Sequence, residues 1–256
     1  NSYIYGAPYS LDRFGTGSLQ MNTSITVKGS IPDPELQFAV EFTKALQKRG
    51  IEISEKAKGA RSMSLIAAWK RYASNHQLVY TNIGSSVNTV AHWTNQKSVN
   101  FFAEQLVCLI GYNKNGDGST ENGLRQLNQY WNTRINTSGL YLKDGSGLSR
   151  SNGISAEHFC GLLNYMNQSK NKEVFRSTLP VAGISGTLSD VCRNQAAQGR
   201  VFAKSGTMSR IKSYAGYVDT KSGKKFAFAI IFNNYNCSNA YLMKKIEKFM
   251  NTMANE

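Results

Sequence analysis

Val201-Phe202-Ala203, Ser213-Tyr214-Ala215-Gly216-Tyr217-Val218 and Lys225-Phe226-Ala227-Phe228-Ala229-Ile230-Ile231-Phe232 are runs of β-branched, aromatic and small residues that read as three strands. The turn Thr220-Lys221-Ser222-Gly223-Lys224 joins the last two. The third run is almost wholly apolar, which predicts burial on both faces in the middle of a helix-covered sheet. A terminal helix is expected from Ala240, with Leu242, Ile246, Phe249, Met250 and Met253 on its apolar side.

Working outward toward the N-terminus, the period changes from two to 3.6. Helices are expected at 155–167 and 121–135, and a helical pattern from Thr89 to Ile110 is interrupted by Thr94-Asn95-Gln96-Lys97-Ser98, predicting two helices with a tight junction. Leu78 to Ile83 reads as a strand. Asp33 as N-cap and Pro34 at the first helical position start a helix with Leu36, Val40 and Leu46 on one face, closed by Gly50. Residues 1–30 are rich in Gly, Ser and Tyr and read as a lead-in of loops and minor strands such as Ser24-Ile25-Thr26-Val27, with 31–256 forming the main domain. Helices, an antiparallel sheet and a closing helix give a mixed α/β (α+β) fold, the sheet flanked by helices.

The composition fits: 256 residues with 41% hydrophobic and 18% charged residues bury a sizeable core, which excludes disorder. No window approaches eighteen consecutive apolar residues, so no transmembrane helix is expected, and Asn1-Ser2-Tyr3-Ile4-Tyr5-Gly6 does not start a signal peptide. Thirty Lys and Arg against sixteen Asp and Glu give a net charge of +14, which implies anionic surroundings. Cys108, Cys160, Cys192 and Cys237 are far apart and lack zinc spacing, and His76, His92 and His158 are isolated, so neither a metal site nor a cofactor is expected. Unpaired cysteines are favoured over disulfides. No G-x-S-x-G occurs. Asn113-Lys114-Asn115-Gly116-Asp117-Gly118 starts like a calcium loop, but its twelfth position is Leu124, so a polar surface loop is expected.

Histidine-free acyl transfer uses three short elements together: S-x-x-K, S-x-N and K-[ST]-G. The first serine attacks a carbonyl with its lysine as base, the second relays a proton to the leaving amine, and the lysine strand holds the substrate carboxylate. K-S-G occurs at Lys204-Ser205-Gly206, on a strand edge, and at Lys221-Ser222-Gly223, in a polar hairpin that reads as a solvated turn. S-x-N occurs at Ser86, Ser98 and Ser169; Ser86 reads as a helix cap and Ser169 as an exposed loop. Ser98 could also be a cap, but its context decides otherwise.

Gln96-Lys97-Ser98-Val99-Asn100-Phe101-Phe102-Ala103-Glu104 resembles the second motif of class C low-molecular-mass penicillin-binding proteins, the D-alanyl-D-alanine carboxypeptidase/endopeptidase family, where Lys precedes and an Ala-Glu/Asp pair follows. Leu142-Lys143-Asp144-Gly145-Ser146-Gly147-Leu148-Ser149-Arg150-Ser151-Asn152 is similar to that family's D-G-S-G-L-S-R-x-N segment, the most specific signal in the chain. Leu179-Pro180-Val181-Ala182-Gly183 and Val201 to Thr207 look like its C-terminal part, in the right order, so the likeness covers residues 30 to 245. It implies a β-lactamase-like transpeptidase domain. It also implies Ser98 as proton relay, Asn100 as the amide holding the substrate backbone, and Lys204 as positive charge beside relay and carboxylate. Ser205 and Thr207 would donate hydroxyls to that carboxylate, with Gly206 between them, and the Thr207 N–H would form half of the oxyanion hole. Leu148, Arg150, Met208 and Ser209 would line the pocket for the peptide side chain, although ordinary loop or strand roles compete equally for these four.

The first motif departs from the pattern. S-x-x-K occurs only at Ser169, Ser209 and Ser222, all after Ser98 and none on a helix that would stack lysine over serine. The expectation is a C-terminal part of a larger bacterial periplasmic or cell-envelope enzyme, its domain incomplete on the N-terminal side. Such a part would bind a peptidoglycan stem peptide, and β-lactams once complete. The strand at 226–232 would then be free to pair with residues 3–30, with another chain as a dimer, or with nothing. Two other readings remain: an inactive peptidoglycan-binding module, and a basic nucleic-acid-binding domain, for which the lysines are spread too widely and no motif is present.

Overall fold

The computed structural model describes residues 3–6, 11–18, 20–24, 26, 31–59 and 80–256. They fall into two compact units, dividing between Asn82 and Ile83, so the expected boundary at 30/31 lies inside the first. In that first unit β1 (Tyr3–Gly6) pairs antiparallel with β2 (Arg13–Thr16). Helix α1 (Pro34–Gln47) starts as its sequence dictates: the Asp33 carboxylate accepts from the Leu36 N–H at 3.0 Å and Pro34 fills the first turn. Leu36, Val40 and Leu46 are half-buried, and Gly50 takes φ +78° past the helix end. Of the expected strand at 78–83, residues 78 and 79 lie outside the described residues, while 80–83 are irregular and exposed. Ile25 and Val27, from the expected minor strand at 24–27, also lie outside them.

The second unit holds a sheet of order β3 (Val201–Met208), β4 (Ile211–Asp219), β5 (Lys225–Asn233), antiparallel throughout. The register puts Val201, Ala203, Tyr214, Val218 and Phe228 on one face, where they pack against Leu242, Ile246 and Met250 of α7 (Asn239–Asn255). Phe202 and Tyr217 on the other face meet Leu163 of α5 (Ala156–Gln168) and Phe175 of α6 (Lys172–Thr178). The Tyr217 hydroxyl donates to the Leu163 carbonyl at 2.7 Å, tying α5 to the sheet. Helix, sheet and helix thus form three layers, as the period change implied.

The position of the apolar third strand differs from expectation. β4 is central, whereas β5 is an edge among the described strands, with only Phe228 fully buried. Its unbroken apolar run matches covering helices on both faces, but ladder bonds on one side only. β1 and β2, in the first unit, form a two-stranded sheet of their own.

Helices α2 (Val87–Lys97), α3 (Asn100–Asn115) and α4 (Thr120–Asn132) carry the rest of this unit's framework. The Ser86 hydroxyl caps α2 by accepting from Thr89 N–H. α3 and α4 pack as a hairpin whose backbones nearly touch, because a Cβ on Gly123 would lie 2.1 Å from the Val107 carbonyl oxygen. The Asn113–Gly118 stretch is the connection: Gly116 takes the left-handed conformation, and the buried Asn122 amide donates to the Asn115 side chain and the Asp117 carbonyl, both at 2.7 Å. His158 and Ser155 form a capping box at the start of α5. All four cysteines are free.

Strand β4 leaves no room at Gly216, where a Cβ would stand 2.0 Å from the Phe202 carbonyl and 2.6 Å from Ala203 Cα. Gly216→Ala is therefore expected to lower unfolding free energy by about 3 kcal/mol, read from the urea midpoint. An unchanged midpoint would contradict this packing.

Candidate active site

Ser98 is the turning point between α2 and α3. It adopts φ 53°, ψ 49°, a left-handed conformation that costs a non-glycine residue roughly 1 kcal/mol. The neighbouring residues hold it there. Asn95 donates to the Thr178 hydroxyl at 2.7 Å and the buried Gln96 side chain donates to the Thr178 carbonyl at 3.2 Å, anchoring the end of α2 to the end of α6. Gly186, at φ +59° in the short 3-10 turn Gly186–Leu188, lets that turn approach, since a Cβ there would sit 2.5 Å from Gln96 Oε1. The break that sequence placed among five polar residues is thus a single left-handed serine with its hydroxyl turned toward the sheet.

Lys204 approaches from β3. It lies on the face of Phe202, opposite Val201 and Ala203, so its chain runs toward α2 rather than α7. Its Nζ donates to Ser98 Oγ at 2.9 Å and also to the Ser205 carbonyl. Burial pushes the Lys204 ammonium below its ordinary value of 10.5. An ammonium that donates to Oγ leaves the serine's own hydrogen free to be given elsewhere. Ser205 points to the other face and donates to Thr187 Oγ1 at 2.8 Å, so the 3-10 turn bridges both motifs. A Cβ at Gly206 would stand 2.5 Å from Ser213 Oγ, so the Ser213 hydroxyl would have to turn aside.

The outer edge of β3 is half covered. Ala203 N–H donates to the Pro180 carbonyl and Ala182 N–H to that of Val201. By the two-residue period of the ladder, the N–H of Thr207 faces the same edge, beyond that cover and beside an exposed side chain.

The loop at 142–152 is clamped to α3. Glu104 accepts from the N–H groups of Gly145 at 3.1 Å and Ser146 at 2.9 Å, while a Cβ on Gly145 would lie 2.7 Å from the Ala103 carbonyl. Asp144 accepts from Gly147, from Ser149 and from the Asn152 amide, and Asn152 in turn accepts from Lys143. Arg150 reaches over to the Ser209 carbonyl at 3.5 Å.

Of the ten residues singled out from sequence, Ser98 and Lys204 touch, the Ser205 carbonyl accepts from Lys204, and Arg150 meets Ser209. Asn100, Thr207 and Leu148 are exposed and Met208 is half-buried; among the described residues no hydrogen bond joins these four to the Ser98–Lys204 pair. None of the S-x-x-K sites stacks lysine on serine: Ser169 ends α5, Ser209 and Arg210 make the β3–β4 turn with Lys212 donating to Asn239, and Ser222 is in the β4–β5 turn. Sequence reasoning missed Asn95, Gln96, Thr178 and Thr187, for which no signal exists without the fold. It noted the Ala103-Glu104 pair but not what Glu104 holds. Among the described residues no group of three or more His, Cys, Asp or Glu could hold a metal.

A family profile described as D-Ala-D-Ala carboxypeptidase 3 (S13) matches residues 15–256. The chain is 30% identical over 229 residues to a D-alanyl-D-alanine carboxypeptidase of Actinomadura sp. (strain R39), covering 86% of this chain and 41% of that protein. It is 29% identical over 246 residues to penicillin-sensitive carboxypeptidase A of Dictyostelium discoideum, covering 92% of this chain and 45% of the relative. It spans less than half the length of either. The fold superposes on penicillin binding protein 4 (dacB) from Haemophilus influenzae with a TM-score of 0.73 at 22% identity, over 96% of this chain and 52% of the other. A class A beta-lactamase from Bacteroides cellulosilyticus superposes with a TM-score of 0.52 at 18% identity, covering 74% of this chain and 69% of that one.

Two outcomes follow from the geometry. Lys204 has its pKa depressed on folding, so its charged form destabilises the fold and stability should rise as pH climbs through the folded pKa toward 10.5; Lys204→Met should lose that rise, read by thermal melts across pH 8–10.5. Glu104→Ala should speed hydrogen exchange at Gly145 and Ser146 about tenfold or more, leaving β4 amides unchanged.

Proposed function

Because the chain belongs to the D-Ala-D-Ala carboxypeptidase 3 (S13) family, we propose that it carries part of a serine-type peptidase that cleaves the bond after D-alanine in cell-wall peptides. The observation that supports this best is the 2.9 Å hydrogen bond from Lys204 Nζ to Ser98 Oγ, which joins S-x-N to K-S-G across 106 residues of chain. In this reading a serine of an S-x-x-K segment outside these 256 residues attacks the peptide carbonyl. Its Oγ–C bond forms, the C–N bond to the terminal D-alanine breaks, and water later releases the acyl group. Ser98 passes the proton to the leaving amine, because Lys204 holds its Oγ as an acceptor and leaves its O–H to donate. The Lys204 charge, poorly hydrated where it sits, favours the substrate carboxylate, with Ser205 and Thr207 as further donors. Thr207 N–H, on the open edge of β3, is half of the oxyanion hole. Asn100 holds the peptide backbone; Arg150 and Ser209, with Leu148 and Met208, border the pocket for its side chain.

The reading places the parent protein in a bacterial cell envelope and makes it a β-lactam target. A second reading, a module that holds peptidoglycan without acylating, is favoured by one observation: no S-x-x-K among these residues lies on a helix beside Ser98.

The test is benzylpenicillin acylation followed by intact mass. The 256-residue chain should take up none. The same chain extended upstream to include an S-x-x-K segment should take up one equivalent, about 100-fold or more slowly with Ser98→Ala or Lys204→Ala. A stoichiometric adduct on the short chain would sink the division of labour, and no adduct on the extended chain would leave the non-acylating module.

A further inference from the structure

Ser205 has one hydroxyl hydrogen, and it is engaged: Ser205 Oγ donates to Thr187 Oγ1 at 2.8 Å. A carboxylate only accepts, so Ser205 cannot serve one while its O–H faces Thr187. Thr187 holds the hydrogen that remains. Its side chain is exposed, and among the described residues its own O–H has no acceptor. Both of its neighbours in the Gly186–Leu188 turn are fixed. Leu188 is fully buried in the core between sheet and α7; its N–H donates to the Ser185 carbonyl at 3.3 Å, and its carbonyl accepts from Gly183 at 2.9 Å. Gly186 lies against Gln96, where a Cβ would stand 2.5 Å from Oε1. The threonine between them therefore keeps a defined place beside β3 although it is exposed.

We propose that Thr187 is a positioning residue for a substrate's free C-terminal carboxylate, acting through Ser205; this rests on the peptidase reading above. Two hydroxyls carry two hydrogens, and one of them always lies between the two oxygens. In the structure the other is on Thr187. When a carboxylate arrives, both O–H groups rotate together: Thr187 donates to Ser205 Oγ, and Ser205 donates to the carboxylate. No bond breaks and no proton changes owner. A donor behind Ser205 polarises its O–H and strengthens the hydrogen bond in front. Without the threonine hydroxyl, Ser205 can still turn, but nothing holds its lone pair toward the 3-10 turn and its O–H toward the substrate.

The neighbouring charge decides what the pair serves. Lys204 Nζ donates to the Ser205 carbonyl, which brings an ammonium beside the two hydroxyls. Among the described residues no Asp or Glu side chain pairs with Lys204, Ser205 or Thr187; Asp190, on the same segment, pairs with Arg193 at 3.1 Å. A cation flanked by hydroxyls suits an acceptor that bears negative charge. An amide carbonyl could take the hydroxyl but would leave the ammonium without a counter-charge. The pair therefore favours a peptide that ends in free D-alanine over one whose chain continues, which is carboxypeptidase rather than endopeptidase selectivity.

The probes are benzylpenicillin, which carries a carboxylate, and its methyl ester, which does not, applied to the chain extended upstream to an S-x-x-K segment. Thr187→Val keeps the side chain's shape and removes the hydroxyl. The ratio of the two acylation rate constants should fall about tenfold, and Thr187→Ser should restore it. With peptides ending in D-Ala-D-Ala the loss should appear in KM, with kcat held within about twofold. A merely structural fault would slow both penicillins alike; an unchanged ratio, or one that Thr187→Ser fails to restore, overturns the assignment. The 256-residue chain gives a readout that needs no nucleophile. With isotope-labelled threonine methyls, the Thr187 signal, assigned by its loss in Thr187→Val, should shift on titration with N-acetyl-D-alanyl-D-alanine and shift less with the C-terminal amide of the same peptide. Equal shifts, or none at about 50 mM peptide, would also overturn it. If acylation fails altogether while the methyl tells acid from amide, the peptidase reading falls and the carboxylate pair stands. If acylation proceeds while ratio and methyl stay unmoved, only the role of Thr187 falls.

Discussion

The hydrogen bond between Lys204 and Ser98 joins a sheet to a helical hairpin, and much of the second unit serves to make it possible. Lys204 must lie on a strand whose alternation sends Val201 and Ala203 into the α7 layer, because only then does an even-numbered residue face α2. Ser98 must stand at a helix break in a conformation a serine does not choose. Holding that break takes Asn95, Gln96, Thr178 and the Gly186–Leu188 turn, none of which has a chemical part of its own. Interactions of about 1 kcal/mol each offset a backbone cost of similar size, so the site is a balance of local terms within a larger core.

The same logic explains why glycines cluster around the site. Gly206 lets Ser213 pass behind the K-S-G strand, Gly216 lets β3 and β4 close, and Gly145 lets the 142–152 loop lie on α3 at Ala103. Each would meet a neighbour closer than 3 Å if it carried a Cβ. They are close-approach glycines rather than flexible ones: none of the three has a positive φ, and each brings one motif-bearing segment against another.

Sequence gave access to what is periodic or local. The three strands, the closing helix, the Asp33 and Ser86 caps, the break near Ser98 and the harmless second K-S-G all follow from patterns within a few residues, and each is found in place. What could not be read was pairing. An apolar run in a strand reports two covered faces, not two bonded edges, which is why β5 was expected in the centre and is an edge among the described strands. The partners of Ser98 and Glu104 are 106 and about 40 residues away, and Thr187 has no local signature at all. The resemblance located Ser98 and Lys204; the geometry shows what keeps them together.

The net charge of +14 acts on a different scale from this site. Lys244, Lys245 and Lys248 on α7 and Lys221, Lys224 and Lys225 near the β4–β5 turn are exposed, and water with salt screens each over about 8 Å. Their joint effect is a long-range field that draws the protein to polyanions without choosing a bond to act on. Lys204 contributes one charge to that total but sits where burial has already weakened its hydration. A partly desolvated ammonium gains more from a carboxylate than a surface one does, and its hydrogen bond to Ser98 gives that gain a direction. Overall charge therefore acts at long range on any polyanion, whereas Lys204 acts at one point, through a partly buried ammonium held against Ser98.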